Sequence, residues 1–509
     1  QMPAAADAGA DVTEIIPLSE QEKEAAVSVI EQCTQVFSEA QSRNNSKRED
    51  STLRSLSSSL SMLQLINGSS AEQLKQTAKD AYGDRPSVEM LGYESEYWAG
   101  AAWCVNSMSD RKLRKQLSKN LWSRLPNLSL IQSRDTRQLV AARYGQAAMW
   151  LGDDERLNEL IQEVNGVKGE ILRADKPYGR EYVKTLLLSG NGDRIQPWVD
   201  AQPISTALIL IQRGDVEAAH EIIASHPMEE RIHVWLLMQC AFDVACRGTE
   251  SPNPYIDELR KLIDGMDDQE SAVQTALRLE LDVFVAADQG NFDDASNATS
   301  QIDSKVGPSG QRRFVRKIQR DALIVTSLCA MRNGRTDDAS LLLDQLPIQD
   351  GTFPISILRE AIKQGMDPVE VIGQVTGIKT EHVVRGEEFK RVIELLSTSG
   401  LDLKKYGWVI EQLGLDQTDW DYMEYGDLSP ETYWILSQED LMPSEFLSSY
   451  VPEYFEVRAK ALSFLAAAVI GRSGITLNPD YLDSDTNITA FPPDDLPEER
   501  PNEASAVSN

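Results

Sequence analysis

His220 and Glu221 are the residues of this sequence that come closest to a metal-dependent catalytic motif. A zincin site places two histidines four residues apart on one helix face, with a glutamate between them as general base. Here Ala224 occupies the position of the second histidine, and His226 follows six residues after His220, on another side of a helix. The spacing therefore predicts no metal site here.

Two other groups have suitable residue types without the partners that the chemistry needs. Ser109 and Lys112 have the spacing of a serine nucleophile and its base, but no partner motif accompanies them, and a serine before a helix is explained by N-capping. Asp416, Asp419 and Asp421 offer oxygen ligands for calcium, without the alternate spacing, central glycine and final glutamate of an EF-hand. We expect no catalytic residue, no cofactor and no metal, and calcium binding by the acidic loop stays open.

Aromatic side chains in the same acidic loop are the first candidates for ligand binding. Trp420, Tyr422 and Tyr425 can stack on a sugar or a peptide, or they can seal the end of a helical array. A carbohydrate-binding protein or a helical enzyme with its site near Trp420 is therefore the alternative to the interpretation developed below.

Two basic helical segments stand out as a second candidate surface. One contains Arg111, Lys112, Arg114, Lys115, Lys119 and Arg124, and the other contains Arg312, Arg313, Arg316, Lys317 and Arg320. Residues 312, 316 and 320 share one face of a helix because they are four positions apart. We expect these arginines either to pair with acids of the chain itself or to bind an acidic tail, such as the chain's own residues 494–503.

The composition limits the class of protein to which the chain belongs. Its 509 residues include 41% hydrophobic residues, enough to bury a core, and its formal net charge is −30. Such an acidic chain is a poor ligand for nucleic acid, and no apolar run reaches the length of a membrane span. The five cysteines lie far apart, with no Cys-x-x-Cys pair, and we expect them to be small buried hydrophobes.

The elements that must position any site are helices joined by glycine turns. Glycines that follow apolar helical runs occur at positions 152, 192, 214, 248, 290, 334, 365 and 400. Their intervals are 31 to 44 residues apart from one of 22, close to the ~34–47 residues of helical-hairpin repeats. Capping boxes at Ser19 with Glu22 and at Ser69 with Glu72 predict two helix starts nearer the N-terminus.

Three of these turns resemble tetratricopeptide repeats. In that family a glycine ends the first helix, an aromatic or apolar residue follows two positions later, and an alanine five positions later lets the two helices pack closely. Val216 with Ala219 and Phe292 with Ala295 match this pattern, and Thr336 with Ala339 matches it with a polar replacement. The resemblance implies an all-α fold, an α-solenoid of helix-turn-helix repeats, and a role in binding proteins or peptides.

The sequence divides into five predicted segments. They are a flexible lead-in at 1–18, helical hairpins at 19–140, the helical repeats at 141–410, a helical cap with the acidic and aromatic loop at 411–474, and an acidic, proline-rich, disordered tail at 475–509. The leading functional hypothesis is a non-enzymatic scaffold that binds a protein or peptide on the concave surface made by the first helices of the repeats.

Localisation and assembly are less constrained by these patterns. Because the chain begins with Gln1, we expect a processed N-terminus, such as one left by a removed signal peptide, and an exported or periplasmic protein, with a cytoplasmic one as the alternative. Self-association and a structural role in a larger assembly stay open.

Overall fold

The computed structural model describes most of the chain. The described residues are 15–43, 50–108, 110–166, 177–189, 191–248, 253–266, 271–303, 305, 309–346, 355–367, 370–371, 373–374, 430–438, 447, 451 and 453–475. Over these residues every regular element is a helix and no strand occurs, which confirms the predicted all-α class. No helix in these ranges has the length and apolarity needed to cross a membrane.

The chain folds into two compact units, whose described parts are residues 15–200 with 430–475, and residues 201–374. The helices of the first unit are α1 (Glu20–Ser42), α2 (Asp50–Ile66), α3 (Ala71–Tyr82), α4 (Val88–Met108), α5 (Arg111–Arg124), α6 (Arg134–Leu151), α7 (Asp154–Gly166), α8 (Pro177–Leu188), α9 (Gln196–Ala201), α19 (Pro430–Gln438) and α20 (Phe455–Arg472). Single-turn 3-10 helices lie at Leu128–Leu130 and Gly192–Arg194.

Packing within the first unit follows a repeated pattern. Helices α2, α4, α6 and α8 contact one another in sequence, while α3, α5 and α7 are the helices that follow them in the chain. Gly100 lets α4 approach α2 closely, because a Cβ at this position would lie 2.4 Å from the Ser58 hydroxyl oxygen. Both α2 and α4 are therefore buried over most of their surface.

The last described helix returns to the start of the chain. Helix α20 packs against α1, α2 and α19, and the Ile16 amide donates a hydrogen bond to the Ser473 carbonyl oxygen at 3.1 Å. Arg458 of α20 forms an ion pair with Glu39 of α1. The Trp434 indole of α19 donates to the Ile475 carbonyl oxygen at 2.6 Å, so α19 is joined to the end of α20.

The described part of the second unit contains four consecutive helix pairs and one further helix. They are α10 (Pro203–Gln212), α11 (Val216–Ser225), α12 (Glu230–Arg247), α13 (Ile256–Gly265), α14 (Ser271–Asp288), α15 (Phe292–Ser300), α16 (Ser309–Arg332), α17 (Thr336–Leu343) and α18 (Ile355–Lys363). The first helices of the four pairs, α10, α12, α14 and α16, contact one another in chain order, and α16 also contacts the further helix α18. Helix α12 also contacts α16, so three first helices meet at one junction.

The predicted glycine turns join these pairs. At Gly214 the backbone is left-handed, with φ 79°, and α11 begins two residues later at Val216. Gly290 and Gly334 have the same backbone conformation, and the helices after them also begin two residues later. Ala219, Ala295 and Ala339 are all completely buried, as the expected close packing of the two helices of a pair requires.

Candidate functional site

The predicted arginine face lies on α16, a first helix of the second unit. Arg312 and Arg316 are exposed and Arg320 is partly buried, with all three on the same side of the helix because of their four-residue spacing. The other predicted binding residues, Trp420, Tyr422 and Tyr425, lie outside the described residues. The carbohydrate-binding or enzymatic alternative therefore stays a prediction.

Lys317, next to Arg316 in the chain, turns inward and joins α16 to α12. Its ammonium group donates a hydrogen bond to Gln239 Oε1 at 3.3 Å and lies 5.4 Å from the centroid of the Trp235 ring. Both partners are on α12, one helical turn apart. The amine thus satisfies a buried amide and makes a cation–π contact where α12 and α16 meet.

Two buried carboxyl groups complete this junction. Burial raises the pKa of Glu280, on α14, and of Asp321, on α16, although the Lys317 charge opposes the rise. Burial in turn lowers the pKa of Lys317. Glu280 and Asp321 are only 3% and 6% exposed. The direct effect of these groups is therefore on the packing of α12, α14 and α16 rather than on a solvent-borne substrate.

A second cluster, around Glu258 of α13, was missed by the sequence interpretation of His220. The His220 Nε2 atom lies 2.9 Å from Glu258 Oε2, and His233 Nε2 lies 3.6 Å from Glu258 Oε1. The Tyr255 ring packs against the His220 ring with centroids 5.1 Å apart. Two of the four histidines thus converge on one carboxylate, a contact between α11, α12 and α13 that residue spacing along one helix does not reveal.

The first unit has a comparable run of charged groups across three first helices. Arg143 of α6 contacts Glu96 of α4 at 2.7 Å and also pairs with Glu181 of α8. On the same helices, Gln146 donates to the Thr185 hydroxyl oxygen at 3.0 Å. Burial raises the pKa of Glu96, while the Arg143 charge opposes this rise. These side chains link α4, α6 and α8 through polar contacts between the helices.

Arg124, a member of the first predicted basic segment, has a buried side chain that pairs with Glu94 of α4. Arg124 Nη2 donates to Glu94 Oε2 at 3.0 Å and to the Gly83 carbonyl oxygen at 2.8 Å. The other side of the same helix, α5, faces an open groove of about 830 Å³ that it shares with α7. The predicted basic segment is thus divided between an internal ion pair and an exposed surface.

A smaller groove of about 470 Å³ lies between α15 and α17 in the second unit. The Arg335 guanidinium lies 4.0 Å from the centroid of the Phe292 ring and contacts Asp293 and Asp338 at 2.6 and 2.7 Å. Both grooves lie between successive second helices, and in the larger one the Arg156 guanidinium lies 5.9 Å from the centroid of the Trp122 ring.

Within the described ranges, no three side chains of the His, Cys, Asp and Glu types are arranged to hold a metal ion. All five cysteines are buried and unpaired with one another, as we expected from their apolar sequence surroundings. No protein-family model, curated protein or solved structure matches the chain.

Proposed function

We propose that this chain is a non-enzymatic helical-repeat protein of the tetratricopeptide type, which binds a protein or peptide on the surface made by its first helices. The observation that carries the proposal is the repeated pair in the second unit. Three pairs share a left-handed glycine, a helix start two residues later and a buried alanine three residues after that start. Such pairs bury their apolar faces by stacking on neighbours and leave one side of the array for a ligand.

The exposed arginines of α16 give the proposed surface its chemistry. Arg312 and Arg316 are exposed on a helix whose C-terminal half, residues 321–331, is entirely buried. Guanidinium groups bind carboxylates with two parallel hydrogen bonds, so an acidic segment is the ligand that fits this face. That segment belongs to a partner protein or to the chain's own residues 494–503, as the sequence suggests.

Affinity capture followed by a measured affinity tests this function. The full chain and its Arg312→Glu, Arg316→Glu variant are used to retain proteins from the source lysate, and the protein retained by the wild type alone is purified. Isothermal titration should then show a Kd about 10–100 times weaker for the variant, because like charges oppose an acidic ligand. The control is Arg260→Glu with Lys261→Glu, which reverses two exposed charges on the second helix α13. Equal Kd values for the wild type and the first variant would contradict the proposal.

A further inference from the structure

The groove between α5 and α7 has two walls of opposite charge. Lys115 and Lys119, four residues apart, belong to the α5 wall, and Glu155, Glu159 and Glu163, also at four-residue intervals, belong to the α7 wall. All five of these side chains belong to exposed residues. In the described part of the chain, no ion pair joins either lysine to an acid of α7. Glu159 pairs with Arg156 of its own helix at 2.6 Å, and both charged rows are exposed at the surface.

The floor of the groove is more apolar than its walls, and hydrogen bonds hold one of its side chains in place. It contains Trp122, Leu125, Pro126 and Leu160. The Trp122 indole donates a hydrogen bond to Asp153 Oδ2 at 3.1 Å, and the Ser118 hydroxyl donates to the same carboxylate oxygen. These bonds hold the indole between the two helices, so a partner would meet a preformed surface rather than order it on binding.

The charges decide which kind of partner fits. The groove is lined by three cationic side chains, Lys115, Lys119 and Arg156, and by four carboxylates, Asp153, Glu155, Glu159 and Glu163. A purely acidic segment, such as the sequence between 476 and 509, gains at α5 but is repelled by α7. A purely basic segment is attracted by α7 but is repelled by α5. The partner must therefore carry a basic row beside an acidic row at helical spacing.

This chain's own α5–α7 surface meets that requirement. In a dimer with a two-fold axis, both copies use the same patch, and if the first row of one copy contacts the second row of the other, the reverse contact also forms. A patch with adjacent rows of opposite charge is therefore complementary to itself. The lysine row of one copy then faces the glutamate row of the other, twice in the same interface. Local complementarity of this kind is needed here because two chains with a formal net charge of −30 each repel one another at longer range.

We propose that the groove between α5 and α7 is a self-association surface, on which a second copy of the chain docks across a two-fold axis. The proposal is independent of the function proposed for the first helices, because it uses different helices in the other compact unit. Salt has two opposite effects on such a dimer, since it screens both the long-range repulsion and the local attraction. A sharper test than salt dependence is to reverse the charge of one wall in one variant and of the other wall in a second variant, and then to mix the two variants.

The test uses sedimentation velocity on the full-length chain and two charge-reversal variants. The first carries Lys115→Glu with Lys119→Glu, and the second carries Glu159→Lys with Glu163→Lys. At about 50 µM, above the Kd of a micromolar interface, the wild type should be a dimer and each variant alone a monomer, with its dimer Kd raised at least about 100-fold by facing like charges. An equimolar mixture of the two variants should form a heterodimer, because each reversed wall then meets an opposite one.

A matched control separates this surface from the effect of total charge. Glu24→Lys with Glu31→Lys makes the same charge change as Glu159→Lys with Glu163→Lys, at two exposed positions of α1, and should leave the dimer intact. Circular dichroism checks that all the variants are folded. A monomeric wild type, or a mixture that stays monomeric, overturns the proposal. It is also overturned if the wild type dimerises only after removal of residues 476–509, because the groove would then be occupied by the chain's own tail.

Discussion

The Arg332 guanidinium of α16 donates a hydrogen bond at 3.0 Å to the carbonyl oxygen of Ala245, in the last turn of α12. The same group also donates to the Cys246 carbonyl oxygen. These carbonyls belong to the final turn of a helix, where intrahelical donors run out and a positive charge is favourable. Arg332 thus supplies hydrogen-bond donors to the C-terminus of α12, although its own helix, α16, lies two helix pairs further along the chain.

Replacement of Arg332 should destabilise the junction between α12 and α16. Arg332→Met removes both hydrogen bonds while keeping much of the side-chain volume, and we expect a loss of about 1.5–3 kcal/mol in the free energy of unfolding. Urea denaturation measures this loss. The control is Arg278→Met, which removes a half-exposed side chain that pairs with Asp264 at the surface, and it should cost no more than about 1 kcal/mol. Equal losses in the two variants would show that the contact with α12 adds nothing.

The contact between the two helices of a pair can be tested within one helix. Ala219 of α11 is completely buried, whereas Ala224 of the same helix is exposed. Ala219→Leu forces a larger side chain into a filled space and should cost about 1–3 kcal/mol, while Ala224→Leu should change stability by less than about 0.5 kcal/mol. Thermal denaturation followed by circular dichroism compares the two. A similar Tm for both variants would mean that α10 and α11 are not closely packed at Ala219. The equivalent change Ala295→Leu should lower Tm in the same way.

The stability of the second unit should depend on pH through Asp243. Burial raises the pKa of Asp243 from 3.8 to about 6, although its ion pair with Arg247, at 2.9 Å, opposes the rise. The folded chain then holds the Asp243 proton more tightly than the unfolded chain. Consequently the contribution of Asp243 to stability is greatest below pH 3.8 and falls as the pH rises to about 6.

Asp243→Asn isolates this effect because it keeps the size of the side chain and removes its titration. The free energy of unfolding of the wild type, relative to that of the variant, should fall by about 1–3 kcal/mol as the pH rises through this window. Urea titrations at several pH values measure the difference. A wild type that gains stability over Asp243→Asn with rising pH would contradict the buried position of the carboxyl group.

In the first unit, removal of Arg143 should be far more harmful than removal of a surface arginine. Arg143→Met removes the ion-pair partner of the buried Glu96, and we expect a loss of about 3–5 kcal/mol in the free energy of unfolding. Arg156→Met, which breaks a half-exposed pair with Glu159, should be far less harmful, because solvent screens that pair. Because protonation of Glu96 removes the unpaired charge, the loss in Arg143→Met should shrink as the pH falls. A loss that grows in acid would rule out this explanation.

The helices and their turns were predictable because their signals are local. The helix starts after the three turn glycines follow from apolar spacing and glycine, both of which act within one or two helical turns. The capping box predicted at Ser19 with Glu22 is present. The one predicted at Ser69 with Glu72 was wrong by one residue, because Ser70 with Gln73 offers the same pair of bonds and begins the helix at Ala71.

The buried charged clusters were not predictable, because each joins helices that are far apart in the sequence. Glu96 and Arg143 are 47 residues apart, and Lys317 and Gln239 are 78 residues apart. The sequence showed Arg124 as one of six basic residues in a single segment, and only the packing of α4 against α5 shows that it pairs internally with Glu94. The predicted segment boundaries and the site at Trp420 stay predictions.

Site-specific photo-crosslinking tests the central claim, that the first helices of the second unit bind a protein or peptide. A photoreactive amino acid replaces Arg316 on the first helix α16 in one variant and Asn297 on the second helix α15 in another, and both full-length chains are irradiated in the source cells. Both positions are exposed, so accessibility is matched. The account predicts a discrete adduct with a protein or peptide from position 316 and none from position 297. No adduct at position 316, or the same adducts at both positions, would contradict it.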